Sequence, residues 1–133
     1  MPVMVQFTSD GVGTVLLSQG VVTGPELTKA VRSVYDSGRF EKLKYWISDM
    51  SGRTEFLPTT EEINALVAQD KAESIRNPGM ALLFVAPYKL EFGLSRMVQS
   101  GEAGNAYETR VFNNRAEADE WLRNSLGLIA EVC

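Results

Sequence analysis

The feature that most constrains the fold is an unbroken apolar stretch, Met80-Ala81-Leu82-Leu83-Phe84-Val85-Ala86, in the second half of the chain. The stretch is much too short to span a membrane, and Asn77-Pro78-Gly79 before it and Pro87 after it mark its ends. A strand without polar side chains must be covered on both faces of its sheet. The stretch therefore predicts a central strand of a parallel sheet.

Alternating apolar residues predict four further strands around this one. Two of them, over 3–7 and 12–18, are separated by the turn signal Ser9-Asp10-Gly11 and should form an antiparallel hairpin. A strand beginning at Tyr45 should close near Asp49, where a loop over 51–54 follows. The last strand is expected over 107–112, nearer the edge of the sheet.

Apolar residues at helical spacing predict four helices between these strands. The first follows Thr23-Gly24-Pro25-Glu26, a capping-box pattern with proline in the first turn, and ends at Ser37-Gly38. The second begins at Thr59 or Thr60, the third contains Leu90, Leu94, Met97 and Val98, and the fourth contains Ala118 and Trp121. The order is β-β-α-β-α-β-α-β-α.

This order predicts an α/β domain with a five-stranded, mostly parallel sheet, an N-terminal antiparallel hairpin and four helices. The sequence shows no internal repeat, low-complexity tract or linker, so we expect one domain over residues 1–133. A hydrophobic content of 44% and a charged content of 23% are those of an ordinary globular domain.

The residue inventory excludes several kinds of chemistry. The chain has no histidine, which removes Ser-His-Asp hydrolysis, Cys-His proteolysis and histidine metal sites. Its one cysteine, Cys133, is the last residue and can form neither an internal disulfide nor a structural zinc site. We therefore expect no metal, no cofactor and no enzymatic activity.

Charge and hydropathy indicate the compartment and the class of partner. The net charge is −4 and there is no basic run, so we expect no binding to nucleic acid. The N-terminal residues lack the pattern of a signal peptide, and no segment is long enough for a membrane span. A cytoplasmic location is the expectation.

Three groups of residues are candidates for a site. The first is a strand-end crevice, because ligands of open α/β sheets bind beyond the carboxyl ends of the strands. There we expect the polar residues Asp49, Ser51, Tyr88 and Asn113. Asp49 could also be a hydrogen-bonded loop anchor.

The second group is Thr59 and Thr60, at the start of the second helix. A hydroxyl there is usually a helix cap, but the same position would hold a phosphate well. Glu61 and Glu62 in the first turn would oppose that charge and favour the cap.

The third group could line a pocket for an apolar ligand. It consists of Trp46, Phe84, Phe92 and Met97, with Arg96 beside them to guide an anionic headgroup. Side chains at such spacings can equally be plain core, and Arg96 a surface charge. A cavity among them would favour the ligand hypothesis, and tight packing would contradict it.

A series of short motifs, taken in order, resembles the SpoIIAA-like proteins of bacteria, small domains related to the STAS fold of anti-sigma-factor antagonists. The motifs run through nearly the whole chain: Val21-Val22-Thr23, Glu26-Leu27, Ile47-Ser48-Asp49, Val85-Ala86-Pro87, Phe92-Gly93-Leu94-Ser95-Arg96-Met97, Val111-Phe112-Asn113, Glu117-Ala118 and Trp121-Leu122. The resemblance implies a βα superhelix. It also implies kinship with the lipid-binding Sec14 domains, which supports an apolar ligand.

In the antagonists, a D-S-[ST]-G motif opens the second helix, and its serine is phosphorylated by a partner kinase. Thr59 and Thr60 match the two hydroxyl positions, but Pro58 replaces the aspartate and Glu61 the glycine. This departure from the motif counts against a phosphorylation switch.

Two hypotheses on function follow. The first is a non-enzymatic module for regulatory protein–protein interaction, which docks a protein partner at Thr59, Thr60 and the Arg53 loop. The alternative is a carrier or sensor of a small apolar or amphipathic ligand. A homodimer formed through an uncovered edge strand is a further expectation.

Overall fold

A computed structural model describes residues 3–86 and 105–132. It contains a five-stranded sheet whose strands follow one another in space as they do in sequence. They are β1 (Val3–Phe7), β2 (Gly13–Val22), β3 (Tyr45–Phe56), β4 (Ala81–Val85) and β5 (Glu108–Phe112). β1 and β2 form an antiparallel hairpin, and every later neighbour is parallel. The predicted α/β class, the hairpin and the mostly parallel sheet are confirmed.

Three α-helices lie within the described residues: α1 (Gly24–Tyr35), α2 (Thr60–Glu73) and α3 (Arg115–Leu126). Two short 3₁₀ helices, Phe40–Lys42 and Ser74–Arg76, precede β3 and β4. Each α-helix begins after a residue whose side chain accepts a hydrogen bond from the first turn, namely Thr23, Thr59 and Asn114. The predicted helix around Leu90 and Met97 lies outside the described residues.

Both faces of the sheet are covered, as the apolar stretch requires. On one face, Leu16, Trp46 and Leu82 pack with α1 and α2. On the other face, Ile47 and Leu83 pack with Ala118 and Leu122 of α3. Since neighbouring residues of a strand point to opposite faces, the continuous apolar run supplies both cores. No helix of the described part of the chain is long and apolar enough to cross a membrane.

The expected end of the third strand at Asp49 is wrong, and so is the expected loop over 51–54. β3 continues to Phe56, because β2 continues to Val22 and the two pair along this extension, up to Val22 and Phe56. The pairing is irregular on either side of Gln19 and Gly20, where Gly20 adopts a left-handed φ of 64°. β4 already ends at Val85, opposite Asp49, so within residues 3–86 and 105–132 the second half of β3 pairs with β2 alone. The residues in this half of β3 are therefore polar and exposed, and their sequence resembles that of a loop.

Candidate functional site

An apolar cavity of about 70 Å³ lies between the sheet and helices α1 and α2. By the ~10–15 Å³ that one water needs, the cavity has room for roughly five water molecules. Thirteen of the described residues line it, and eleven of these are apolar. They are Leu16, Leu27, Val31, Trp46, Ser48, Met50, Phe56, Ile63, Leu66, Val67, Asp70, Leu82 and Phe84.

Strand alternation decides which residues of β3 reach this cavity. Trp46, Ser48 and Met50 lie on the face that α1 and α2 cover, and all three line the cavity. Ile47 belongs to the core beneath α3, and Asp49 pairs with Arg115 of that helix. The two faces of one strand thus serve different purposes, one a cavity floor and the other a packed core with an ion pair.

A buried polar cluster adjoins the cavity at Asp70. The Tyr35 hydroxyl donates a hydrogen bond of 2.5 Å to Asp70 Oδ1 and lies 3.0 Å from the Tyr107 hydroxyl. Burial, together with the neighbouring Asp70 and Tyr107, raises the pKa of Tyr35 far above its ordinary value. The Tyr35 ring also contacts the Trp46 ring edge-on, with 5.3 Å between the ring centroids. The cluster therefore fixes the orientation of Trp46 at the cavity wall.

Two polar groups of the cavity floor have no hydrogen-bond partner among the described residues. Trp46 is 3% exposed, and its indole Nε1 is covered by protein. Ser48 is 9% exposed, and its hydroxyl makes no hydrogen bond with any residue that the structure describes. Ser48 pairs with Leu16 on one side and Phe84 on the other, which places its hydroxyl at the centre of an apolar floor.

The predicted apolar pocket is brought together in part. Trp46 and Phe84 lie on neighbouring strands and both line the cavity. Phe92, Arg96 and Met97 lie outside the described residues.

Sequence reasoning missed Ser48 and Asp70. Asp70 follows Ile63 by seven residues and so lies on the buried face of α2. Carboxylates are rarely buried unless they are paired, so an aspartate at this position could have indicated a buried polar contact.

The predicted strand-end crevice is occupied by an ion pair. Asp49 Oδ1 accepts hydrogen bonds from the Ser51 backbone N–H at 2.9 Å and from the Ser51 hydroxyl at 2.5 Å. Asp49 Oδ2 accepts from Arg115 Nη1 at 3.2 Å. The backbone N–H of Asn113 donates to Glu117 instead, and Tyr88 lies outside the described residues. Asp49 is therefore a buried structural anchor in a strand, not a residue at a strand end.

Thr59 is the N-cap of α2 and forms a complete capping box. The Glu62 backbone N–H donates to Thr59 Oγ1 at 3.1 Å, and the Thr59 backbone N–H donates to Glu62 Oε1 at 2.9 Å. Thr60 is the first helical residue and is exposed. The Glu62 carboxylate also lies against Gly24, in the first turn of α1. This carboxylate occupies the space where an anion would meet the two helix N-termini.

A second, wider groove of about 480 Å³ lies between β1 and α1. Its walls include the charged residues Glu26 and Lys29, and Met4 of the edge strand is exposed. A groove with charged walls along a sheet edge is hydrated, so its greater volume does not make it the better ligand site.

The described residues contain no group of three or more His, Cys, Asp or Glu side chains that could hold a metal ion. Comparisons of the chain with protein-family models, with curated proteins and with solved structures each found no match. The candidate site therefore has to be interpreted from its own geometry.

Proposed function

We propose that this chain is a non-enzymatic binding domain that holds a small apolar or amphipathic molecule between its sheet and helices α1 and α2. The observation that carries the proposal is the apolar cavity lined by Trp46 and Phe84. Cores of this size are normally packed without voids larger than a water molecule. A concave space lined mainly by large apolar side chains, with a few polar groups, is typical of a ligand site.

We also infer that the domain has the βα superhelix of the SpoIIAA-like, STAS-related family. Support comes from the sequential strand order and from the β2-α1-β3 and β3-α2-β4 units, in which parallel neighbours are joined by a helix. An experimental structure with a helix between β4 and β5 would agree with this inference, and an extended segment there would contradict it.

The ligand-binding proposal is tested with benzene, a compact hydrocarbon, and thermal unfolding of the full chain. Ligand at ten times its Kd should stabilise the fold by about 1.4 kcal/mol, which raises Tm by a few degrees. In a Val67→Phe variant, the added ring should fill the cavity from the α2 side and abolish the rise. Ala68→Phe is the matched control, because Ala68 is exposed on the same helix.

The proposal would be contradicted by two results. One is the absence of any rise in the Tm of the wild-type chain at the solubility limit of the hydrocarbon. The other is an equal rise in the wild-type and Val67→Phe proteins, since binding would then occur elsewhere on the molecule.

A protein-docking module is the second candidate function, and exposed apolar side chains beside Thr59 favour it. Val21 is 45% exposed and Leu57 47% exposed, both at the carboxyl ends of β2 and β3. We call Val21, Leu57, Thr59 and Thr60 the strand-end patch. Exposed apolar residues gathered beside polar ones are typical of interaction surfaces.

Cross-linking mass spectrometry in the native host tests this second candidate. Cross-links to one partner should cluster at the strand-end patch and be lost in a Leu57→Asp variant. Ile75→Asp is the control, since Ile75 is an exposed apolar residue of the second 3₁₀ helix. Equal loss in both variants, or cross-links elsewhere, would contradict a docking role for the patch.

A further inference from the structure

Ser48 is the feature of the cavity that packing does not explain. Its side chain is nine-tenths buried and stands between Leu16 and Phe84 on the floor of the cavity. Its hydroxyl makes no hydrogen bond with any residue that the structure describes. Alanine would fill the same position equally well. Packing and hydrogen bonding within the described fold therefore give no reason for a hydroxyl here.

The other polar side chain of the lining differs from Ser48. Asp70 accepts a hydrogen bond from Tyr35 and belongs to the polar cluster that adjoins the cavity. Ser48 has no such partner among the described residues and is surrounded by apolar walls. A hydroxyl can both donate and accept, so it suits a carbonyl oxygen, an alcohol or a phenol equally well. An ionised group placed beside it would lose its hydration without gaining an opposite charge from Ser48.

We propose that Ser48 is a specificity residue of the cavity, and that the ligand is a neutral molecule with an apolar body and one hydrogen-bonding group directed at Ser48 Oγ. The inference rests on the proposed ligand-binding function and adds the class of ligand to it. The apolar walls supply affinity without selecting among hydrocarbons, and the hydroxyl selects for the polar group.

The test compares two small ligands of similar shape, benzene and phenol, which differ by one hydroxyl group. Binding of each ligand to the wild-type, Ser48→Ala and Ser18→Ala proteins is measured by isothermal titration calorimetry. Ser18 is the control, because its hydroxyl is buried without a partner in the described part of the chain and Ser18 does not line the cavity. Neither substitution should lower Tm, since neither hydroxyl has a hydrogen-bond partner among the described residues.

We expect Ser48→Ala to weaken the binding of phenol by about 2- to 12-fold, the range of one net hydrogen bond. The binding of benzene should change by less than about twofold, which lies below that range. Ser18→Ala should leave both affinities as they are. The change in each ligand's own affinity is compared, so the different solubilities of the ligands cancel.

Two outcomes would overturn the inference in distinguishable ways. If Ser48→Ala changes the two affinities alike, or changes neither, Ser48 selects nothing, while the proposed cavity function stands. If neither ligand binds the wild-type chain, the cavity function and the inference fail together.

Discussion

The hydroxyl of Tyr35 on α1 donates a hydrogen bond of 2.5 Å to the buried carboxylate of Asp70 on α2. The bond joins the two helices that cover the cavity, at the point where the Tyr107 hydroxyl also approaches. An unpaired carboxylate at this depth would be costly, so the hydroxyl stabilises both Asp70 and the spacing of the two helices.

This relationship predicts how stability depends on alkaline pH. The pKa of Tyr35 in the folded chain lies above its ordinary value of 10.0, chiefly because of burial and then because of Asp70. The folded state keeps the proton where the unfolded state loses it. The stabilisation is therefore complete below pH 10 and is lost as the pH rises above it.

Urea unfolding of the wild-type and Tyr35→Phe proteins between pH 8 and 11.5 measures this effect. The variant should be less stable at pH 8 by about 1–3 kcal/mol, because Asp70 loses a donor. Above pH 10 the free energy of unfolding of the variant should fall less steeply with pH than that of the wild type. Some pH dependence should remain in the variant because of Tyr45, whose pKa is also raised by burial. Parallel curves for the two proteins would contradict the assignment.

The capping box predicts different effects of two adjacent threonines. Thr59→Ala should lower the free energy of unfolding by about 0.5–2 kcal/mol, because the Glu62 backbone N–H loses its acceptor. Thr60 is the first residue of α2 and is exposed, so the free energy of unfolding of Thr60→Ala should stay within about 0.5 kcal/mol of the wild-type value. Urea denaturation measures both, and equal losses would show that Thr59 is not the cap in solution.

The contact of Gly24 with Glu62 predicts that the effects of substitutions at the two positions are coupled. A Cβ on Gly24 would overlap the Glu62 carboxylate, which would have to turn away from its capping box, so Gly24→Ala should cost about 0.5–2 kcal/mol. Adding Glu62→Ala removes the obstacle. The double variant should therefore lose less stability than the sum of the two single variants, by about 0.5–2 kcal/mol. Strict additivity in thermal or urea unfolding would refute the contact.

The ion pair of Asp49 predicts a loss of stability when Arg115 is removed. In Arg115→Met, Asp49 keeps its two hydrogen bonds from Ser51 but loses the one opposite charge that it contacts in the described structure. Since Arg115 is partly exposed, we expect a cost of about 1–3 kcal/mol, below that of a fully buried pair. Arg123→Met, an exposed change on the same helix, should stay within about 0.5 kcal/mol.

The order of the described strands and helices could be predicted because each signal is local. The apolar stretch ending at Ala86, the caps at Thr23 and Thr59 and the hairpin turn each depend on a few neighbouring residues. The extension of β3 could not be predicted in the same way. Its polar residues pair with β2 across a register irregularity, and sequence patterns do not report the length of a neighbouring strand.

The candidate site was predictable to a smaller degree. Aromatic and apolar residues on neighbouring strands indicated Trp46 and Phe84, but strand alternation alone gives Ser48 no special meaning. Whether a buried serine has a partner depends on the side chains that face it from other elements. Asp49 was selected by its position in the sequence, although Arg115, 66 residues away, determines what it does.

The sequence by itself determined the class of this domain and its two-sided core. It also excluded chemistry that needs histidine or paired cysteines, because composition and periodicity depend on the chain alone. The tertiary structure decided where the core remains open and which polar groups are satisfied. Those properties arise from the separation of α1 and α2 above the sheet, and that separation is set by contacts such as Tyr35 with Asp70 between residues distant in the chain.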